Sequence, residues 1–136
     1  MIFLDTNVIV SYAIETDANH IKADRIMSEI SSGKYGNLFI SNFIFDESVT
    51  VIFVRSKNLM TAIKAGENLK ISTEILEVDK SMFEDAWKTF KSQKGAKFSF
   101  TDCTTIEVMR RNSIKVLATF DEDFLKVKEI NVMGAD

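Results

Sequence analysis

The sequence predicts an α/β fold, a three-layer α/β/α sandwich built on a parallel sheet. Two observations predict it. Short apolar runs of strand length alternate along the chain with longer stretches of helical spacing. The short runs are apolar throughout rather than alternating, as strands covered on both faces require. No internal repeat, low-complexity tract or linker interrupts the pattern, so the 136 residues are expected to form a single domain, 1–136.

Taken in order, Ile2 to Leu4 reads as a buried strand ending at Asp5, and Thr6 to Ile14 as a helix or partly loop. Ile21, Ile26, Met27 and Ile30 mark a second helix, and Gly33 and Gly36 a turn. Leu38 to Ile40 is the second strand. Ser41 or Asn42 caps a third helix that runs to about Arg55. Leu59 to Lys70 is expected to be helical with Leu59, Ala62, Ile63 and Leu69 inward. Ile75 to Val78 is the third strand. Ser81 and Glu84 have capping-box spacing, ahead of a helix burying Phe83, Ala86, Trp87 and Phe90. A lysine-bearing loop spans Lys91 to Lys97. Ser99 and Asp102 repeat the capping spacing before a helix to about Asn112. Lys115 to Ala118 is the fourth strand, Asp121 to Val127 a short helix, and Asn131 to Met133 the fifth strand.

Composition excludes several classes. One cysteine, Cys103, rules out an intrachain disulfide and multi-cysteine zinc clusters, and one histidine, His20, rules out the usual zinc-hydrolase ligand sets. Cys103 reads as a small buried residue and His20 as a surface or cap residue. No apolar run approaches the ~18–20 residues that span a bilayer. The opening MIFLDTNVIV lacks a basic region and carries an acid within its apolar stretch, unlike a signal peptide. A cytoplasmic protein without membrane attachment is expected. The net charge of −3 argues against a simple basic nucleic-acid binder.

Four acids stand at the ends of elements. Asp5 closes the first strand, Glu47 lies one turn into the third helix, Asp102 opens the helix after the lysine loop, and Asp121 follows the fourth strand. Ligands of open α/β sheets gather beyond the carboxyl ends of strands at a switch point. If the first and fourth strands are neighbours, these acids share one crevice. Clustered carboxylates repel unless protonated or paired with cations. Magnesium and manganese prefer oxygen ligands, and such a site activates water and offsets charge on a phosphate. Taken singly, each acid also has a structural reading: Asp5, Asp102 and Asp121 as helix caps, Glu47 as a solvated helix residue.

The wording of four blocks adds to this. They are Ile2-Phe3-Leu4-Asp5-Thr6-Asn7, Ile40-Ser41-Asn42-Phe43-Ile44-Phe45-Asp46-Glu47, Phe98-Ser99-Phe100-Thr101-Asp102-Cys103, and Val116-Leu117-Ala118-Thr119-Phe120-Asp121-Glu122-Asp123-Phe124. In order and spacing they resemble the PIN-domain ribonucleases, especially the toxins of VapBC-type toxin–antitoxin pairs. Asp5, Glu47, Asp102 and Asp121 match the family's acids, Thr119 its Thr-x-Asp, and Phe124 the aromatic that follows. The resemblance implies strand order 3-2-1-4-5, one or two magnesium or manganese ions held by the four acids, hydrolysis of RNA, an antitoxin protein as partner, and a homodimer. Asn7 and Thr119 are expected to orient the carboxylates. Asp46 and Asp123 are neighbouring candidates; Glu47 is preferred because Asp46 points about 100° away on the same helix.

Lys91, Lys94 and Lys97 are candidate contacts to RNA phosphates, with Arg55 and Lys57 as possible additions, or simply solvated charges. Phe45, Val49, Val51, Ile52 and Phe53 give the third helix more apolar surface than one core stripe needs. The domain interior, a second copy or an antitoxin helix could each cover it. The leading expectation is a toxin endoribonuclease. The alternatives are a PIN-type nuclease of RNA processing without an antitoxin, a non-catalytic binding module, and, last, a metal-dependent phosphatase.

Overall fold

The structure, a computed structural model, describes residues 1–135; Asp136 lies outside the described residues. Five strands form one parallel sheet: β1 (Ile2–Leu4), β2 (Leu38–Ser41), β3 (Glu74–Leu76), β4 (Val116–Ala118) and β5 (Asn131–Met133). Their order is β3-β2-β1-β4-β5, as expected. Six helices flank it: α1 (Thr6–Ala13), α2 (His20–Ser31), α3 (Asn42–Ser56), α4 (Leu59–Ser72), α5 (Lys80–Ser92) and α6 (Phe100–Arg111), with a 3-10 helix at Glu122–Lys126.

The chain winds outward from β1 through β2 to β3, then returns to β4 and β5 on the other side. Right-handed crossovers running in opposite directions place their helices on opposite faces. The helices α1 to α4 therefore cover one face, where α1 packs on α2 and α3, and α3 on α4. On the other face α5 packs against α6. The central strands are sealed by both layers: Ile2, Phe3 and Leu4 are almost wholly buried, as are Ile40, Leu117 and Ala118. That double burial explains why these strands are apolar without alternation.

Register sets the site. Leu4 lies opposite Ala118, and the ladder extends one step further as the Asp5 amide donates to the Ala118 carbonyl at 3.0 Å. Thr119 then donates its own amide to the Met133 carbonyl at 3.0 Å, tying the end of β4 to β5. The switch point between β1 and β4 thus opens between Asp5 and Thr119.

Several local expectations are corrected. Asp79, not Ser81, caps α5; its carboxylate accepts from the Met82 amide at 2.8 Å. An aspartate two residues upstream supplied a cap that the Ser81–Glu84 spacing obscured. Phe83 and Trp87 are 44% exposed rather than buried; Ala86 carries the inward contact. In α4, Ala62 and Leu69 face inward as expected, but Leu59 and Ile63 are exposed. The segment after Asp121 forms a 3-10 helix, and β3 is short and shifted to Glu74–Leu76. Ser41 is the cap of α3, accepting from the Ile44 amide at 3.1 Å.

Gly134 is a test of the β4–β5 end. Its φ is +115°, and a Cβ there would lie 2.7 Å from the Thr119 carbonyl oxygen and 3.1 Å from Ile26 Cδ1. Both the backbone conformation and the close approach call for glycine. Gly134→Ala is expected to destabilise the fold by about 2 kcal/mol or more, read from the midpoint of urea unfolding; an unchanged midpoint contradicts the packing described.

Candidate active site

Asp5 begins where β1 ends. Its backbone is extended while the chain behind it turns into α1, so its carboxylate sits at a helix N-terminus. Oδ1 accepts from the Thr6 amide at 2.8 Å, and Oδ2 accepts from the Thr119 hydroxyl at 2.6 Å and from Asn7 Nδ2 at 3.3 Å. The Thr119 hydroxyl is fully used. It donates to Asp5 and accepts from the Asp121 amide at 3.0 Å and from Asn7 Nδ2 at 3.1 Å. Asn7 Oδ1 closes the ring by accepting from the Phe120 amide at 3.1 Å. Two strand ends are thus bolted together by side chains 114 residues apart in sequence.

The other acids arrive on helices. Glu47 is half-buried on α3. Asp102 sits at the third position of α6 in a reciprocal capping box: it accepts from the Ser99 amide at 2.9 Å, and Ser99 Oγ accepts from its amide at 3.0 Å. Asp121 caps the 3-10 helix, accepting from the Asp123 amide at 2.9 Å. The cap readings and the cleft readings therefore hold together for Asp5, Asp102 and Asp121. Helix N-termini carry partial positive charge, which offsets some of the repulsion of placing acids there.

Asp5, Glu47, Asp102 and Asp121 line one cleft, with Thr6, Asn7, Val10, Ser11, Asp17 and Arg55 among its other walls. Burial pushes the Asp5 carboxyl up to about 7; the Thr119 hydroxyl and Thr6 amide pull it back, and the charges of Asp102 and Glu47 push it further up. Asp102 is also raised, by burial first, then by Asp121 and Glu47, against the two Ser99 bonds. Asp5 and Asp102 thus feel their acidic neighbours as unneutralised negative charge.

The neighbouring candidates fall elsewhere. Asp46 is exposed and is not part of the cleft wall. Asp123 turns to Lys126 Nζ at 2.6 Å and to the Lys97 amide at 2.9 Å, which hold its carboxyl below the usual range. Lys91, Lys94 and Lys97 are exposed and do not line the cleft; Lys91 lies over the Trp87 ring, 5.8 Å from its centroid. Cys103 is buried, and burial raises its thiol to about 11. His20 Nδ1 donates to the Ser11 carbonyl at 2.8 Å, at the start of α2. Sequence reasoning missed Asp17. The Asp17-Ala18-Asn19 run ahead of α2 carried a turn signal, since Asp17 accepts from the Asn19 amide at 2.8 Å.

The donor set is all oxygen, which suits a hard cation and not a soft one. A buried Thr6 hydroxyl on the cleft wall also has no hydrogen-bond partner. The carboxylates do not form a closed cage: among the described residues, no three His, Cys, Asp or Glu side chains stand at ion-holding distance. Magnesium commonly keeps several waters and takes few protein ligands directly, so an open cluster of this kind fits it.

Comparison with known proteins agrees with this fold. The family model described as PIN domain matches residues 2–130. The chain belongs to the PIN domain family. Among curated relatives of this PIN domain is the 23S rRNA-specific endonuclease VapC20 of Mycobacterium tuberculosis, 27% identical over 124 residues, covering 91% of this chain and 92% of that one. The VapC ribonuclease of Archaeoglobus fulgidus is 25% identical over 126 residues, covering 89% of this chain and 77% of that one. The crystal structure of M. tuberculosis VapC20, described as a sarcin-ricin loop cleaving toxin, superposes with a TM-score of 0.83 at 26% identity, covering 93% of this chain and 95% of that one. VapBC-1 of nontypeable Haemophilus influenzae shares the fold, with a TM-score of 0.68 at 22% identity over 98% of this chain and 97% of that one.

The electrostatics of this PIN domain predict a pH signature. Between about pH 4 and 7 the unfolded Asp5 releases its proton while the folded one retains it. Folded protein then binds more protons than unfolded protein, so stability falls as pH rises through that window. Asp5→Asn removes this titration. In chelator, the wild type should lose stability relative to Asp5→Asn from about pH 4 to about pH 7 and remain at a constant difference above it. Chemical denaturation across pH measures this; a pH-independent difference contradicts the raised ionisation of the buried Asp5 carboxyl.

Proposed function

We propose that this chain is a divalent-cation-dependent endoribonuclease and the toxin of a two-component toxin–antitoxin pair. The observation that carries the proposal is the buried Asp5 carboxylate, locked by Thr119 and facing Glu47, Asp102 and Asp121 across one cleft. The VapC relatives named as ribonucleases support the substrate class. The 23S rRNA specificity of one of them makes structured ribosomal RNA the first substrate to try.

Magnesium or manganese, as one or two ions, would be held by Asp5, Glu47, Asp102 and Asp121. When bound, such an ion lowers the pKa of a water and offsets the charge on a phosphate under attack. The chain's own contribution is positional. Thr119 and Asn7 fix the Asp5 oxygens, so the carboxylate needs no reorganisation as charge develops. The Ser99 capping box holds Asp102, and the amide of Asp123 holds Asp121. No imidazole, thiol or amine lines the cleft among the described residues; in this reading water is the nucleophile and a cleft carboxylate receives its proton. Attack by water on phosphorus breaks the P–O3′ bond, and the 3′ oxygen leaves and takes up a proton, giving a 5′-phosphate and a 3′-hydroxyl. Lys91, Lys94 and Lys97 are proposed to contact phosphates of a longer bound strand outside the cleft.

The antitoxin would meet two surfaces. An arginine on it would pair with the acids, since a guanidinium binds carboxylates in bidentate fashion. Apolar residues beside it would cover the groove between α3 and α4, lined by Phe45, Val49, Phe53, Leu59, Ala62 and Ile63. The reading includes a homodimer, which light scattering of the purified chain tests.

Cleavage of ribosomal RNA by the purified chain tests the central reading. Activity should require magnesium or manganese, vanish in chelator, and fall by about 10²-fold or more in Glu47→Gln with the fold retained. Mass spectrometry should find 5′-phosphate ends; 2′,3′-cyclic phosphate ends, or full activity in chelator, overturn the mechanism.

A further inference from the structure

A cleft lined by five acids, Asp17 among them, repels the polyanion it is proposed to cut, and the whole chain carries a net charge of −3. Among its described lining residues stands one cation, Arg55. Glu47, Val51 and Arg55 recur at four-residue intervals along α3 and all line the cleft, so they form one stripe leading away from the acids.

Arg55 does not hang free. Its Nη2 donates to Asp17 Oδ2 at 2.8 Å, across 38 residues of sequence. The Asp17 side chain is only 11% exposed, whereas that of Arg55 is 46% exposed. Asp17 is itself fixed, with Oδ1 accepting from the Asn19 amide at 2.8 Å, and it lines the same cleft. Burial alone would raise the Asp17 carboxyl, but the Asn19 amide, Arg55 and Ser11 outweigh it and hold it below the usual range. The pair therefore consists of a fixed anion and a half-exposed cation that lines the cleft. An ion pair with so exposed a guanidinium adds little stability. Its effect is to hold the planar fork of donors in one direction, the geometry that suits a phosphate.

We propose that Arg55, oriented by Asp17, binds a backbone phosphate of the RNA beside the scissile bond. The inference rests on the ribonuclease reading and assigns the group that draws the strand into an acidic cleft. Arg55 is the binding residue and Asp17 the positioning residue. The Asp17 role makes an unusual sign prediction. Removing its negative charge makes the protein less acidic, which by bulk electrostatics alone strengthens RNA binding. Losing the orientation of Arg55 weakens it.

The test is binding of a fluorescent single-stranded oligoribonucleotide to Asp5→Asn protein over a salt series, by anisotropy. Adding Arg55→Gln should weaken binding about tenfold and reduce the salt slope by about 0.7, the contribution of one phosphate contact on a single strand. Arg55→Lys should restore the slope but not the full affinity, because a point charge lacks the fork. Asp17→Asn should weaken binding while leaving the slope unchanged. In the otherwise native chain, the Arg55→Gln loss should appear in KM rather than kcat. If Arg55→Gln does not fold, the Arg55→Lys and Asp17→Asn results decide. Unchanged affinity and slope in the Arg55 variants, or tighter binding in Asp17→Asn, overturns the inference while cleavage by the native chain leaves the ribonuclease reading standing. Absence of both RNA binding and cleavage in the native chain overturns both.

Discussion

The hydrogen bond from the Thr119 hydroxyl to Asp5 Oδ2, 2.6 Å long, is the constraint on which the site depends. It exists because β1 and β4 are neighbours in register, with Leu4 opposite Ala118, so the next residue of each strand emerges at the same level. Two strand ends would otherwise splay as their loops diverge. One hydroxyl, buried with no exposed surface, holds Asp5, the Asp121 amide and Asn7 at once. Buried networks of this kind are rigid when every donor and acceptor is satisfied, and costly when one is removed. The topology thus sets where the site can form, and a single threonine sets how tightly.

Electrostatics gives the cleft its character. Desolvation and like charge both disfavour ionised Asp5, while the hydrogen bonds from the Thr119 hydroxyl and the Thr6 amide favour it; the balance leaves its carboxyl at about 7. A purely structural cap gains nothing from neighbours that raise its ionisation cost. The same acids also satisfy helix ends, so the fold recovers part of that cost through α1, α6 and the 3-10 helix. Stability and chemistry pull on the same side chains in opposite directions, which is the ordinary condition of a functional site.

Much of this was legible in the sequence, for definable reasons. Strands buried on both faces leave unbroken apolar runs, and Ser99–Asp102 announces its helix by local bonding alone. Asp5, Asp102 and Asp121 could be singled out because each stands at an element end and Glu47 because it lies about one turn into α3, and the resemblance to PIN domains joined them. The strand order itself came from that resemblance, since periodicity does not say which strands are neighbours. The misreadings of burial share one cause. An apolar stripe shows that a face could be buried but not whether anything covers it. Leu59, Ile63, Phe83 and Trp87 follow the helical period and yet remain exposed. The Asp17–Arg55 pair was hidden for the complementary reason: it is a contact between distant elements, and neither residue carries a local sign of the other.

The proposal that the buried Asp5 and its acidic neighbours hold a cation is tested most directly by the ionisation of Asp5 itself. Carbon-13 NMR of the Asp5 carboxyl, titrated in chelator and again with saturating magnesium, reads it residue by residue. The account predicts titration near 7 in chelator and a shift to well below neutrality with magnesium, because a bound cation favours the ionised form. An ordinary aspartate value in chelator, unmoved by magnesium, contradicts it.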